Sequence, residues 1–274
     1  MTDFSYAVDA DGVATITWDT VGKSMNVMSQ PAFELLSDLV DKGLADETVK
    51  GLIITSGKKD FAAGMDLNVI ANMKAAGGDN PAKSVFEGVM GMHAVMRKIE
   101  RAGMDPKTLK GGKPIVAALP GTALGIGLEI PLCCHRIIAA DNPRAKIGLP
   151  EIMVGIFPGA GGTTRLTRKM GAMMAAPYLL EGKLSTPKAA KAGGLIDEVV
   201  APQDLQARAK EWVLGAKDAD LVKPWDAKGY KMPGGAPYHP AGFMTFVGAS
   251  AMVHGKTMGV YPAAKALLSA VYEG

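Results

Sequence analysis

An α/β architecture is predicted by three features of the chain. Short apolar runs of strand length recur through its first half, loop-forming stretches rich in glycine follow several of them, and segments with apolar residues at helical spacing lie between. The repeated order of strand, loop and helix implies sheet and helix packed on one another.

Taken in order, Val13 to Trp18 (VATITW) alternates apolar and polar residues and reads as a strand. Pro31 to Leu44 then places apolar residues at helical spacing, with proline near the start of the helix. Gly51 to Ser56 (GLIITS) has the pattern of a short buried strand, followed by the loop KKDFAAGMDL and a glycine-rich stretch at Gly77-Gly78. A helix is expected from Ser84 to about Arg101. The strand Ile115 to Leu119 leads into a turn and an apolar helix, and another strand follows around Arg136 to Ala139. From Gly159 onward the reading is mostly helical except for Leu195 to Val200, and the cluster KMPGGAPYHP precedes a final helix. No strict repeat or low-complexity tract is present.

At 274 residues and 48 % hydrophobic composition, the chain can bury a substantial core without staples. Its 30 basic and 27 acidic side chains leave a net charge of +3, and no block of like charges forms a nucleic-acid or anionic-membrane footprint. A small polyanionic ligand stays open. The two cysteines, Cys133 and Cys134, are adjacent, a geometry that disfavours a disulfide and suits a reducing compartment. The N-terminus MTDFSYAVDADG carries acids and lacks the pattern of a secretory or transit signal, so a cytoplasmic location is expected. Pro114 to Cys134 has Glu129 as its only charge and is about the length of a membrane span. However, Pro120-Gly121, Gly125, Gly127 and Pro131 punctuate it, and strand, turn and short buried helix are expected instead.

Two loops stand out chemically. FAAGMDL, Phe61 to Leu67, follows a buried strand with small residues that let backbone approach a ligand and let successive N–H groups face a cleft. GTALGIGLEI, Gly121 to Ile130, does the same after the next strand. A pair of such loops can supply two convergent donors to an oxyanion, although either alone is more often a simple connection. Gly125-Ile126-Gly127 lacks the third glycine of a dinucleotide loop, and Gly111-Gly112-Lys113-Pro114 lacks the upstream glycine and Ser/Thr of a phosphate loop.

Two carboxylates accompany the loops. Glu129, in GLEIPLCC, is surrounded by apolar residues, where an ionised group is costly unless paired or functional; a structural partner such as Arg136 would account for it. Glu151, in IGLPEIMVGIFPGAGG, lies between a proline and an apolar run and could serve as a helix cap. Together, downstream of two donor loops and with no metal cluster nearby, they form the constellation needed to add water across an activated double bond. One carboxylate takes a proton from water as oxygen attacks Cβ, another group delivers a proton to Cα, and two donors hold the charge that develops on a thioester oxygen. His93, His135, His239 and His254 are scattered without metal-ligand or nucleophile spacing, and no metal is expected. Met65, Met73, Met90, Met92 and Met96 could line an acyl channel or fill the core.

Through FAAGMDL, GTALGIGLEI, IGLPEIMVGIFPGAGGTTRL and GKLSTPKAAKAGGLIDEVV the chain resembles the crotonase, or enoyl-CoA hydratase/isomerase, superfamily over nearly its whole length. The resemblance implies a spiral of ββα units with C-terminal helices. It also implies oxyanion donation by the backbone N–H groups of Met65 and Ile126, water activation by Glu129 and Cα protonation by Glu151. Lys23, Met25, Ala63, Gly64, Asp66 and Gly125 would contact the CoA or acyl part. The substrate would be an acyl-CoA thioester, with no separate cofactor. Both carboxylates together look like a hydratase. Isomerisation on the same scaffold, and a docking region that binds acyl-CoA without turnover, are the alternatives.

Two departures from the family pattern matter. Ile126 stands where members usually have glycine, so a branched side chain enters a crowded loop. The Glu129 to Glu151 spacing, DNPRAKIGLPE, KPWDAKGYKMPGG and the ending YPAAKALLSAVYEG resemble the branch fused to a 3-hydroxyacyl-CoA dehydrogenase. The resemblance therefore divides the chain into a spiral core at 1–200, which holds the site, and a helical region at 201–274, like the linker to a dehydrogenase part. It implies a homo-trimer or hexamer, or a thiolase partner if the chain is part of a fused protein.

Overall fold

The computed structural model describes residues 2–66, 68–69 and 80–274. Leu67, Met73 and Gly77-Gly78 lie outside the described residues.

The chain repeats one course four times. β1 (Phe4–Val8) and β2 (Val13–Trp18) pair antiparallel, and the chain then passes through the short β3 (Val27–Met28) into helix α1 (Gln30–Ala45). β4 (Gly51–Ser56), β5 (Gly64–Met65) and α2 (Pro81–Arg101) follow, then β6 (Ile115–Leu119), β7 (Ala123–Leu124) and α3 (Ile126–Cys133). β8 (Arg136–Ala140), β9 (Ile147–Gly148), a 3-10 turn at Pro150–Val154 and α4 (Gly162–Met170) make the fourth. This is the spiral of ββα units. α5 (Ala172–Leu180), β10 (Leu184–Ser185), α6 (Pro187–Ala192) and β11 (Glu198–Val200) close it, and α7 (Leu205–Gly215), α8 (Asp218–Leu221), α9 (Pro240–Thr257) and α10 (Pro262–Glu273) complete the chain.

The long strands form one sheet in the order β1-β2-β4-β6-β8-β11, parallel from β2 onward. The short strands form a second layer, β10-β9-β7 and β3-β5, joined by a parallel bridge between Ala62 and Ala123. From the second course on, each turn of the spiral contributes one strand to each layer. That is why loops separated by a whole repeat meet at the short strands.

Period-two alternation splits the apolar residues of the large sheet between two faces. Leu52, Ile54, Ile115, Ala117 and Leu119 join Trp18, Phe61 and Leu36 in the main core, beneath the helices of the spiral. Ile53, Val116, Ala118 and Ile138 point the other way, onto Leu205, Ala209 and Val213 of α7. A sheet covered on both faces explains why β4 and β6 read as continuous apolar runs. The helix at α2 begins before the expected Ser84 because Pro81 occupies its first turn and Asn80 caps it, accepting from Lys83 N–H at 3.1 Å. β1 has a weak pattern because it is an edge strand that buries only Phe4. Pro114 to Cys134 divides into β6, β7 and α3, and no helix among the described residues is long and apolar enough to cross a membrane.

Candidate active site

The two glycine loops touch. Gly64 has φ +129° and Gly125 has φ +56°, conformations that side chains rarely adopt, and a methyl group on Gly125 would stand 3.8 Å from Gly64 Cα. Gly125 N–H donates to Gly148 O at 3.1 Å and Leu124 N–H to Ala62 O at 3.0 Å, so the short-strand layer fixes the turn. Ile126 is the first residue of α3, and its N–H is one of the first-turn donors that have no acceptor within a helix. Met65 ends β5 beside it. The branched side chain of Ile126 is buried in the main core, so it occupies packing space rather than the mouth of the turn.

A residue without an obvious sequence signal holds this corner. Asn26 is fully buried; its Nδ2 donates to Trp18 O, Ser56 Oγ and Phe61 O at 2.9 to 3.0 Å, and its Oδ1 accepts from Thr20 N–H at 2.8 Å. Its carbonyl accepts from Ala63 N–H at 2.9 Å, directly before the Gly64 turn. Truncation strands several buried carbonyl and N–H groups. Asn26→Ala is expected to lower stability by about 2 to 4 kcal/mol, read as the urea unfolding midpoint; an unchanged midpoint would contradict this bracing role.

Glu129 lies in the first turn of α3 and is 3 % exposed. Its partner is not Arg136, which instead pairs with Glu198 at 3.0 Å. Oε1 accepts from the backbone N–H groups of Ala160 and Gly162 at 2.9 and 2.8 Å, in the PGAGG turn that opens α4. Gly162 has to be small there, because a methyl group would stand 2.9 Å from Oε1. Both donors act on one oxygen, which leaves Oε2 for a water. Burial pushes the carboxyl up to about 7, against the opposing pull of these N–H groups and of Arg165.

Glu151 sits in the 3-10 turn Pro150–Val154, whose N-cap is Leu149. Oε1 lies 3.1 Å from the position a Gly125 methyl would take, and Oε2 is buried without a hydrogen-bond partner among the described residues. Burial, followed by the charge of Glu129, pushes this carboxyl up to about 8. The charge of Glu129 thus makes the Glu151 carboxyl harder to ionise, so the two titrate as an interacting pair. From the C-terminal region, the Tyr261 hydroxyl donates to Ile152 O and steadies the turn.

The remaining expected residues differ in exposure. Lys23 and Ala63 are exposed; Met25 and Asp66 are half-buried, and Asp66 Oδ1 accepts from Asn68 N–H at 2.9 Å. Met96 is core, Met92 is half-buried and Met90 is exposed on α2. His93 donates through Nε2 to Gly159 O at 2.7 Å, His239 accepts from Ala241 N–H, and half-buried His135 accepts from Ile115 N–H, its loss of water holding it down to about 3. Sequence reading missed Asn26, the Ala160 and Gly162 donors, and Arg165, whose charge acts on Glu129. The only trace of the donors was the run Gly159 to Gly162, small residues ahead of a helix.

A profile described as enoyl-CoA hydratase/isomerase matches residues 9–219. The fatty acid oxidation complex subunit alpha of Shewanella halifaxensis is 33 % identical over 265 residues, which cover 96 % of this chain and 35 % of that protein. The same subunit of Shewanella frigidimarina is 35 % identical over 222 residues, covering 81 % and 29 %. Among solved structures, the enoyl-CoA hydratase of Bacillus anthracis superposes with a TM-score of 0.64 at 24 % identity, over 99 % of this chain and 90 % of that one. DspI of Pseudomonas aeruginosa gives 0.65 at 23 %, over 81 % and 78 %. At these identities the structural likeness speaks for the fold alone. The chain spans about a third of the length of the curated relatives it matches, 35 % for the first.

Proposed function

The chain belongs to the enoyl-CoA hydratase/isomerase family, and on that premise we propose that it adds water to a trans-2-enoyl-CoA, giving the 3-hydroxyacyl-CoA, in fatty-acid oxidation. The observation that carries the reading is that a buried carboxyl, Glu151, lies against the Gly125 turn and within reach of the charge of a second, Glu129. Glu151 Oε1 lies against Gly125, and Glu129 follows it in α3, its N–H donating to Gly125 O at 3.0 Å.

In this mechanism ionised Glu129 takes a proton from water as the oxygen attacks Cβ, and protonated Glu151 gives its proton to Cα. The N–H groups of Met65 and Ile126 hold the thioester oxygen while it carries the enolate charge. The unequal surroundings favour this division of labour. The carboxyl with two N–H donors is the easier to ionise, and the one with an orphaned buried oxygen keeps its proton longer. Residues 201–274 would lead, in a longer protein of the α-subunit kind, toward a dehydrogenase part that oxidises the product.

Mixing the protein with crotonyl-CoA tests the reaction. Loss of the conjugated thioester absorbance is expected, and retained CoA binding with no change in absorbance would sink the hydratase reading. The pH dependence tests the roles. Activity should fall below about 7 as Glu129 gains a proton and above about 8 as Glu151 loses one, so kcat/KM should be bell-shaped with limbs of about tenfold per pH unit. A profile flat from about pH 5 to about pH 9 would overturn the assignment of acid and base.

A further inference from the structure

We propose that Glu100 and Arg165 form a positioning unit for Glu129, locked from its far side by the 3-10 turn Pro224–Asp226. The inference rests on Glu129 acting as the water-activating base.

One residue, Ala160, is held from both ends. Its N–H donates to Glu129 Oε1 at 2.9 Å, and its carbonyl accepts from Arg165 Nη1 at 3.2 Å. The direction of the donor therefore follows the guanidinium. Gly161 lets the two meet, since a methyl group there would stand 2.1 Å from Arg165 Nη1. Arg165 is gripped in turn by Glu100, Nε to Oε1 at 3.1 Å and Nη2 to Oε2 at 3.2 Å, in the two-pronged geometry that fixes a guanidinium plane.

Glu100 is 2 % exposed and accepts two more donors, Trp225 Nε1 at 3.1 Å and Arg97 Nη1 at 2.5 Å. Arg97 also bonds Asp226. The chain of contacts runs from the catalytic carboxylate through α4 and α2 to residues 225 and 226, which lie beyond the spiral. Burying such charges is seldom a gain in stability over an apolar core. A network ending on a carboxylate that must hold one orientation has a functional reason to persist.

Charge adds to position. Arg165 faces Glu129 and favours its ionised form, while Glu100 offsets that cation. The other groups facing this region are Glu151 on its 3-10 turn, Cys133 on α3, His93 of α2 against Gly159, and Lys223, which donates to Leu132 O and lies near Cys133 and Glu100.

Glu100→Gln keeps the volume, removes the offsetting charge and turns an amide NH2 toward two of the four donors, so it also opens one prong of the fork. Carboxyl titration of Glu129, followed by NMR in the full chain labelled at glutamate carboxyls and assigned with Glu129→Gln, should move down by about one pH unit, and the acid limb of kcat/KM should move with it. Arg165→Lys keeps the charge and loses the fork. It should lower kcat for crotonyl-CoA by about tenfold while KM stays within about twofold. A folded Glu100→Gln protein with the Glu129 titration unmoved would overturn the inference even if hydration is intact. Should that variant fail to fold, wild-type kcat in Arg165→Lys would overturn it. The titration is read without substrate, so a downward shift supports the unit even if the wild-type protein proves inactive.

Discussion

Glu129→Gln is expected to lower kcat for crotonyl-CoA hydration by about a thousandfold, and Glu151→Gln by a similar factor, with KM changed only a few-fold. Glutamine preserves the volume of each side chain, so the loss measures proton transfer rather than packing. At Glu129 the amide can still accept from Ala160 and Gly162 but cannot take a proton from water. At Glu151 the amide has no acidic proton for Cα. In the proposed mechanism the two act in one step, so the double variant should be little worse than either single one. Activity that survives both substitutions unchanged would remove the pair from the mechanism. Stability should move the other way. The Glu151 carboxyl is pushed up to about 8, mainly by burial, so its contribution to folding is present below the ordinary carboxylate range and is lost as pH rises through about 8. Glutamine suffers no such loss, and Glu151→Gln should unfold at higher urea than the wild-type protein at alkaline pH.

Gly125→Ala is expected to cost about 10²- to 10³-fold in kcat, the usual loss when one oxyanion donor is misdirected. The residue has φ +56° and ψ −128°, and its added methyl group would stand 3.1 Å from Glu151 Oε1 and 3.5 Å from Glu151 Cδ. Either the peptide leading to the Ile126 N–H rotates or the carboxyl gives way. Both outcomes harm the reaction at its centre. The backbone strain should also lower stability by about 1 to 3 kcal/mol. Gly88→Ala is the control, because that glycine lies within α2 with open space around it. It should keep wild-type kcat, and comparable losses in both variants would show that the Gly125 effect is not local.

Local pattern carried far into the fold. β2, β4 and β6 occupy the residues expected of them, because alternation or continuous apolarity reports how many faces of a strand are covered. Pro81 and Asn80 extended α2 by a turn through capping chemistry that apolar spacing does not register. α7 had no special mark, yet it covers the second face of the sheet with Leu205, Ala209 and Val213. That the Ile126 side chain joins the core was visible only in three dimensions.

What the sequence determined by itself is the kind of residue at each place: buried strands, glycines at turns that other residues enter with strain, and two carboxylates among apolar neighbours. Burial and period are properties of single residues and short windows, so they are written locally. Only the tertiary structure decided which groups meet. Arg136 is close to Glu129 in the chain yet bonds Glu198, while the Glu129 carboxylate is served by Ala160 and Gly162, and Glu100 holds Arg165 and Trp225 from distant elements. Hydrogen bonding is pairing in space, and pairs brought together by successive turns of a spiral leave no mark in the spacing of either partner.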